Sequence, residues 1–329
     1  MLSRVAEAIY WMNRYIERAE SNARMLDVNI QVMLDFEMSG ERSAKKHWNP
    51  IISTLEDHEL FDKLYPEMNG DNVIDFVTFE RKNPNSIYSC IAYARENART
   101  VREQISSEMW EILNRLYLFI RSDDARKLFR SSSYEFFSYI LEGSHLFQGT
   151  TDATMTHGEG WYFGMAGRFL ERADRTSRLL DMKYHVLLPS GEQVGGNVDT
   201  VHWMGVLRSC SALEAYRKLY VDQVAPWKVA RFLITDGTFP RSINFCVNEL
   251  DKVIHRISGV ARGQFQCELE QLSGRLHADL GYVSIDEIFK FGLHQYLDRI
   301  QLRLIAIASA LSEQYCEWQV METSEDKSR

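Results

Sequence analysis

A charged segment that occurs twice constrains the fold of this chain more than any other feature. The first copy, YWMNRYIERAESNARMLD, covers residues 10–27, and the second, GMAGRFLERADRTSRLLD, covers residues 164–181. The pairs that this shift brings together are Arg14 with Arg168, Glu17 with Glu171, Arg18 with Arg172, Ala19 with Ala173, Glu20 with Asp174, Arg24 with Arg178, Leu26 with Leu180 and Asp27 with Asp181. Only the pair of Glu20 with Asp174 is not identical, so the pattern indicates an internal repeat.

Two further blocks extend the repeat along the chain. HWNPIISTLEDHELFDKLY from residue 47 resembles HWMGVLRSCSALEAYRKLY from residue 202, and PNSIYSCI from residue 84 resembles PRSINFCV from residue 240. Three blocks in the same order predict a tandem duplication of about 155 residues. We expect a first helical repeat at 1–150, a second at 151–320 packed on the first as one compact unit about a pseudo-two-fold axis, and a disordered tail at 321–329.

The spacing of apolar residues predicts helices throughout the chain. In the segment 2–36 they recur every three or four positions, which is the period of a helix and not of a strand. Helices are predicted at 2–36, 48–65, 73–79, 87–114 with continuation to 120, 131–148, 160–187, 201–220, 227–234, 242–259, 262–279 and 284–320, with a loop at 38–46. Asn83 and Pro84 supply a predicted N-cap and first helical residue. No segment alternates as a half-buried strand would, so the predicted fold is an all-α bundle of long helices.

Composition excludes several classes of function. The chain of 329 residues is 45% hydrophobic and carries a net charge of −8, which favours a globular protein and disfavours a general binder of nucleic acid or anionic membranes. The five cysteines are far apart and form no CxxC pair, so neither a disulfide framework nor a cysteine zinc site is expected. With no export signal and no long uncharged run, a cytoplasmic location is predicted.

The repeated charges allow three interpretations. They could form a solvated helix face, a network of ion pairs between packed helices, or a ligand site in which arginines bind carboxylate or phosphate. Both copies have arginine at these positions, although lysine would be equally suitable on a solvent-exposed surface. This choice favours the ion-pair network and the ligand site. The candidate binding residues are Arg14, Glu17, Arg18, Glu20, Arg24, Arg168, Glu171, Arg172, Asp174 and Arg178, with Glu96, Arg99, Glu103 and His157 as weaker candidates.

Motifs for a metal or a cofactor are missing from the sequence. Glu17 and Glu20 stand three residues apart, as metal-binding glutamates of helical bundles do, but no histidine accompanies them and the arginines would repel a cation. The chain contains no Walker A, GxGxxG, GxSxG or HExxH sequence. No metal and no cofactor is therefore expected.

Long parts of the chain resemble the bacterial alpha-E domain family. The resemblance is carried by MLSRVAEAIYWMNRYIERAESNARMLD, ARENARTVREQISSEMWEILN, THGEGWYFGMAGRFLERADRTSRLLD and LRSCSALEAYRK, in that order. It implies an all-helical protein with recurrent glutamates, which here match Glu17, Glu20, Glu96, Glu103 and Glu171. It also implies partners, since such proteins look like components of gene clusters that encode a circularly permuted ATP-grasp ligase and a transglutaminase-like protease.

Three hypotheses for function follow from the resemblance and the charged helices. The first is an accessory or substrate-binding component of an ATP-grasp amidoligase system that forms peptide or amide bonds. The second is an enzyme that acts on an amide or amino-acid substrate, with Glu17 and Glu171 as acid and base or with a carboxylate metal site. The third is a structural interaction protein without a ligand.

Overall fold

The computed structural model describes residues 1–38, 44–187, 197–221 and 224–316, and within these ranges the regular structure is entirely helical. The helices are α1 Ser3–Met38, α2 Ala44–Leu55, α3 His58–Leu64, α4 Gly70–Thr78, α5 Ile87–Thr100, α6 Ser107–Arg121, α7 Asp123–Ser131, α8 Ser133–Thr154, α9 Glu159–Leu187, α10 Asn197–Ser209, α11 Leu213–Leu219, α12 Pro226–Thr235, α13 Ile243–Ser258, α14 Glu268–Tyr282, α15 Ile285–Phe291 and α16 Leu293–Tyr315. The all-α prediction is confirmed.

The two charged helices, α1 and α9, pack against each other at the centre of the fold. They run in the same direction, because Asn13 lies beside Gly164 while Arg18, further along α1, pairs with Glu171, further along α9. Helices α5 and α8 pack on α1, and helices α13 and α16 pack on α9. The two central helices thus have corresponding neighbours. Descent of the two halves from one ancestral repeat stays a prediction.

Gly167 allows α1 and α9 to approach closely. A Cβ atom at this position would lie 2.3 Å from the carbonyl oxygen of Tyr10, a backbone atom that cannot turn away. The first charged segment has Asn13 at the corresponding place, so only one of the two helices needs the small residue. Because Gly167 has no side chain, α1 and α9 approach closely enough for their charged residues to form hydrogen bonds with each other.

The core confirms the predicted apolar stripe of the first helix. Ile9, Met12, Ile16, Ala23 and Leu26 are each at most 2% exposed and belong to one hydrophobic cluster that includes residues of α9 and α13. Because the stripe follows the helical period, one face of α1 is buried along most of its length. No helix in the described ranges is both long enough and apolar enough to cross a membrane.

Several predicted helices are interrupted in the structure. The predicted helix 48–65 breaks at Glu56 and the predicted helix 201–220 breaks at Ser211, where the backbone has positive φ values of 58° and 51°. A left-handed residue ends a helix because its carbonyl and N–H leave the helical direction. The final predicted helix similarly breaks at Gly292, with φ 106°.

The region 83–121 differs from its prediction in two ways. Ser86, and not Asn83, caps α5, because its hydroxyl accepts a hydrogen bond from the Ser89 N–H at 3.1 Å. The long helix predicted from Ile87 ends at Thr100, and a second N-cap at Ser106 starts α6. Periodicity continues across such a break, so sequence patterns do not reveal it.

The predicted divisions of the chain are only partly covered by the structure. The boundary proposed between residues 150 and 151 falls inside α8, and α2 begins at Ala44, inside the predicted loop 38–46. The predicted tail 321–329 and part of that loop, 39–43, lie outside the described residues. The division into two repeats stays a prediction.

Replacing Gly167 by alanine is expected to destabilise the protein. The added methyl group meets the Tyr10 carbonyl oxygen at 2.3 Å, and overpacking of this kind costs about 1–3 kcal/mol. The matched control is Gly149→Ala on α8, where no atom lies within 4 Å of the new Cβ and alanine favours the helix by up to about 1 kcal/mol. Urea unfolding of both variants tests this, and equal stabilities would contradict the close approach of α1 and α9.

Candidate functional site

Glutamate and arginine side chains cross between the two central helices. Arg172 of α9 donates two hydrogen bonds to Glu17 of α1, Nε to Oε1 and Nη2 to Oε2, both at 2.8 Å. Arg18 of α1 donates two to Glu171 of α9, Nε to Oε1 at 2.7 Å and Nη2 to Oε2 at 3.0 Å. In each Glu-Arg dipeptide, the arginine therefore binds the glutamate of the other helix. Self-complementary contacts across a two-fold axis have the same arrangement.

The carboxylate of Glu171 lies at the centre of three arginines, and we call this group the α9 cluster. Besides Arg18, Arg14 donates its Nε to Oε2 at 2.8 Å and Arg175 donates its Nε to Oε1 at 2.9 Å. Burial of Glu171 opposes its ionisation, but the guanidinium groups of Arg18, Arg14 and Arg175 outweigh burial and hold the pKa of this carboxyl well below its usual range. Three positive charges surround one negative charge.

Glu17 and Glu20 form the α1 cluster, whose other members come from α1, α8, α9 and the segment before α13. Glu17 accepts hydrogen bonds from Arg172, Arg241 and Gln148. Glu20 accepts hydrogen bonds from Arg24, Arg241, Gln148 and Ser144. His145 Nε2 lies 3.2 Å from Oε1 of Glu20. Burial opposes ionisation of Glu20, but Arg241, His145, Arg24 and Arg172 lower its pKa well below the usual range. This cluster differs from the α9 cluster because α8 supplies polar side chains.

The segments that lead into α5 and α13 dock on the charged helices in corresponding ways. Asn22 of α1 donates to the backbone oxygen of Asn85 at 2.8 Å, and Thr176 of α9 donates to the backbone oxygen of Arg241 at 2.8 Å. These bonds satisfy carbonyl groups that have no helical partner. They also hold the Arg241 side chain where it reaches Glu17.

A cleft of about 410 Å³ opens beside the α9 cluster. Its charged lining consists of Arg14, Arg18, Arg175, Arg178, Glu56 and Asp174, so that four arginines face only two carboxylates. The rest of the lining includes Tyr10 and Trp11 of α1 and the apolar residues Leu304 and Ala308 of α16. Ligand-binding clefts commonly have volumes of about 300–1,000 Å³, and this cleft falls within that range.

Arg178 is held at the edge of this cleft by two carboxylates. Its Nε donates to Asp174 at 2.9 Å, and its Nη1 lies 2.8 Å from Glu56 Oε1. Glu56 is the left-handed residue between α2 and α3, and two thirds of its side chain is exposed. A non-glycine residue with positive φ costs free energy, and such residues are often found at functional sites.

The weaker candidates lie away from the cleft. Arg99 and Glu103 line a separate groove near the start of α1, and Glu96 is a half-buried residue that pairs with Arg95 and Arg99. His157 stacks on Trp161 with 4.2 Å between ring centres. The structure brings these four residues into neither cluster.

The repeated candidates all lie in or beside the two clusters. Arg24 donates to Glu20, and Arg168 contacts Asp152 at 3.3 Å without reaching either central glutamate. Glu17 and Glu171 are 1% and 0% exposed, so the interpretation of the repeated charges as a solvated helix face is wrong. The interpretations as an ion-pair network and as a ligand site both fit the structure.

Sequence reasoning missed Arg175, Arg241 and Gln148. The corresponding residue of the other half is Ser21 for Arg175 and Asn85 for Arg241, so a search for repeated charges passes over both. The i,i+4 spacing of Glu171 and Arg175 was available as a signal for the first of them. Nothing in the local sequence connects Gln148 with a glutamate on another helix.

Among the residues that the structure describes, no group of three or more His, Cys, Asp or Glu side chains is arranged to hold a metal ion.

The cysteines beside the two clusters are buried and have no activated thiol. Burial raises the pKa of Cys90 to about 12 and that of Cys246 to about 12, so both thiols are protonated at neutral pH.

The fold and the site together define an all-helical protein built around two buried, crossed Glu-Arg pairs. The chain belongs to the Alpha-E family, described as a predicted alpha-helical domain with a conserved ER motif, whose model matches residues 1–316. Glutamate is followed by arginine at Glu17-Arg18 and at Glu171-Arg172, the two crossed pairs.

The chain is also similar to uncharacterised proteins of Mycobacterium bovis and Mycobacterium tuberculosis, with 22% identity over 262 residues. The matched region covers 75% of this chain and 29% of each relative, so the chain spans less than a third of the length of the curated relatives it matches. No solved structure gives a significant match.

Replacing Glu171 by glutamine is expected to lower the free energy of unfolding at pH 7 by about 3–5 kcal/mol, because three arginines lose the carboxylate that neutralises them. Glu96→Gln is the matched control, since this glutamate also pairs with two arginines but is 44% exposed, where such pairs contribute at most about 1 kcal/mol. Urea unfolding measures both. If the two variants lost similar amounts of unfolding free energy, the buried ion pairs of Glu171 would contribute no more to stability than the partly exposed pairs of Glu96.

Acid is expected to weaken the fold through Glu171 and Glu20. Their pKa values are lowered in the folded state, so the unfolded chain binds protons more readily than the folded protein. Their contribution is complete above the unfolded pKa of about 4.3 and is lost as the pH falls from there towards the lowered folded values. Urea titrations between pH 7 and pH 3 test this, and Glu171→Gln should show a smaller loss than the unmodified protein.

Proposed function

We propose that the protein is a helical accessory component of a bacterial ATP-grasp amidoligase system and that its arginine-lined cleft binds an anionic group of the substrate. The observation that carries this proposal is the excess of arginine over carboxylate at the cleft. Guanidinium groups bind carboxylates and phosphates through paired hydrogen bonds, which makes such an excess suitable for anion recognition.

Arg175 and Arg14 are held in place by Glu171 through only some of their donor nitrogens. Arg175 donates to Glu171 through Nε at 2.9 Å, and this hydrogen bond does not use its two terminal nitrogens. Arg14 similarly gives its Nε to Glu171 and its Nη1 to the Tyr10 hydroxyl at 3.1 Å. Preorganised donors of this kind bind a ligand without a large loss of side-chain entropy.

The alternative of an enzyme that uses Glu17 and Glu171 as acid and base has less support. A general acid or base must reach the substrate, and neither carboxylate lines the cleft. Both glutamates accept several hydrogen bonds from arginine, and the lowered pKa of Glu171 keeps it ionised at neutral pH. A purely structural role would not need an open cleft with unpaired guanidinium nitrogens.

The partners in this proposal are a circularly permuted ATP-grasp ligase and a transglutaminase-like protease, as the family resemblance implies. In such a system the helical protein holds the substrate while the ligase activates a carboxyl group. The greater length of the mycobacterial relatives is compatible with additional domains that act beside an Alpha-E domain.

Replacing Arg175 by glutamine is expected to reduce amide product formed by the ATP-grasp partner about tenfold, because the substrate loses one charge-assisted hydrogen bond. Glu171 keeps Arg14 and Arg18 in this variant, so folding should be preserved. Arg126→Gln is the control, since Arg126 pairs with Asp75 at the surface and lies outside the cleft. The assay is chromatography of the product formed by the purified partner with and without this protein. A partner equally active alone would refute the accessory role.

A further inference from the structure

Helices α8 and α16 occupy corresponding places in the fold, one packed on α1 and the other on α9. The same correspondence appears in their buried residues. The buried pairs are Phe137 with Leu297, Ile140 with Ile300, Ser144 with Leu304, Phe147 with Ile307 and Thr151 with Leu311, each separated by 160 residues. This register allows the surroundings of the two charged helices to be compared position by position.

On α8, two side chains one helical turn apart fill the space beside the α1 cluster. The amide nitrogen of Gln148 donates to Glu17 and to Glu20 at 3.0 Å, and its amide oxygen accepts from Arg172 Nη2 at 3.1 Å. One turn further along, the carboxylate of Asp152 lies 3.3 Å from Arg168. The protein thus supplies an amide and a carboxylate to its own arginines.

On α16, the corresponding positions carry no such groups. Ala308 stands at the position of Gln148, and Ser312 at the position of Asp152, and both line the cleft. The residues facing them are the counterparts of those that bind the α8 side chains: Arg14 for Arg168, Arg18 for Arg172 and Asp174 for Glu20. The cleft is therefore the space that an amide and a carboxylate occupy beside the other helix.

We infer that the cleft binds the C-terminal segment of a peptide, with its terminal carboxylate towards Arg14 and its last amide between Arg18 and Asp174. This inference rests on the proposed function and names its substrate class. Positions four residues apart on a helix are separated by about 6 Å. An extended peptide rises by about 3.3–3.6 Å per residue, so its carboxylate and a nearby amide can span this distance.

An amide suits the cleft better than phosphate does. Asp174 accepts one hydrogen bond from Arg178, and a carboxylate can accept more than one. Arg18 donates to Glu171 and Asn85, and its Nη2 carries a second proton, as does Nη2 of its counterpart Arg172, which donates to both Glu17 and Gln148. A peptide group supplies both a donor and an acceptor, as the Gln148 amide does in the α1 cluster, while inorganic phosphate supplies mainly acceptors and its negative charge is repelled by the aspartate. The apolar wall formed by Leu55, Leu170 and Leu304 can contact small side chains of the peptide.

Calorimetric titration of the full protein with N-acetyl-alanyl-alanine tests this inference. We expect saturable binding, and at least about tenfold weaker binding of the same dipeptide with an amidated C-terminus, which lacks the carboxylate. Ala308→Gln should place an amide in the cleft, as Gln148 does beside α1, and should weaken binding of the dipeptide at least about tenfold. Ala306→Gln, on the same helix but outside the cleft lining, should leave binding unchanged.

Ser312→Asp provides a second and independent test, since its carboxylate would occupy Arg14 as Asp152 occupies Arg168. Urea unfolding confirms that each variant is folded. Binding that is absent, or unaffected by both Ala308→Gln and Ser312→Asp, overturns the inference. If inorganic phosphate binds and the dipeptide does not, the peptide class is refuted while an anion-binding accessory role stands. If the ATP-grasp partner does not need this protein, the proposed function fails whatever the cleft binds.

Discussion

The crossed pairs of Glu17 with Arg172 and Arg18 with Glu171 are the interaction on which the rest of the structure depends. Four charges removed from water carry a large desolvation cost, and only close, well-aligned partners offset it. Each pair requires α1 and α9 to lie side by side, parallel and in one register. A buried carboxylate with the wrong neighbours would cost several kcal/mol, so the pairs disfavour other arrangements of these two amphipathic helices.

The surplus of arginine around these pairs links the fold to its proposed function. One arginine would neutralise Glu171, yet three donate to it, and further guanidinium nitrogens face the cleft. The glutamate stabilises a concentration of positive charge that would otherwise repel itself. In the proposed function, the buried carboxylate of Glu171 holds the arginines in position, and these arginines bind a second anion in the cleft. This role explains why Glu171 is completely enclosed while its arginines reach the cleft.

Sequence patterns predicted the features that repeat or follow a period, and missed those that depend on single residues. The stripe from Ile9 to Leu26 revealed α1, and repetition revealed Arg14, Glu17 and Arg18. The helix breaks at Glu56 and Ser211 were missed because neither residue type signals positive φ. Arg241 was missed because the other half has asparagine there, and its reach to Glu17 depends on the docked segment before α13.

The cleft could not be predicted from the sequence for a different reason. It exists because two side chains of α16 that line it are short. Ala308 and Ser312 are unremarkable residues on an amphipathic helix, and they acquire meaning only beside Gln148 and Asp152 in the same register of α8. The α1 cluster is closed by the protein's own amide and carboxylate, whereas the α9 cluster is left open. In a nearly symmetric core, the protein's own side chains fill the space beside the α1 cluster and leave a cleft beside the α9 cluster, where we propose the binding site, because α8 and α16 differ at two positions one turn apart.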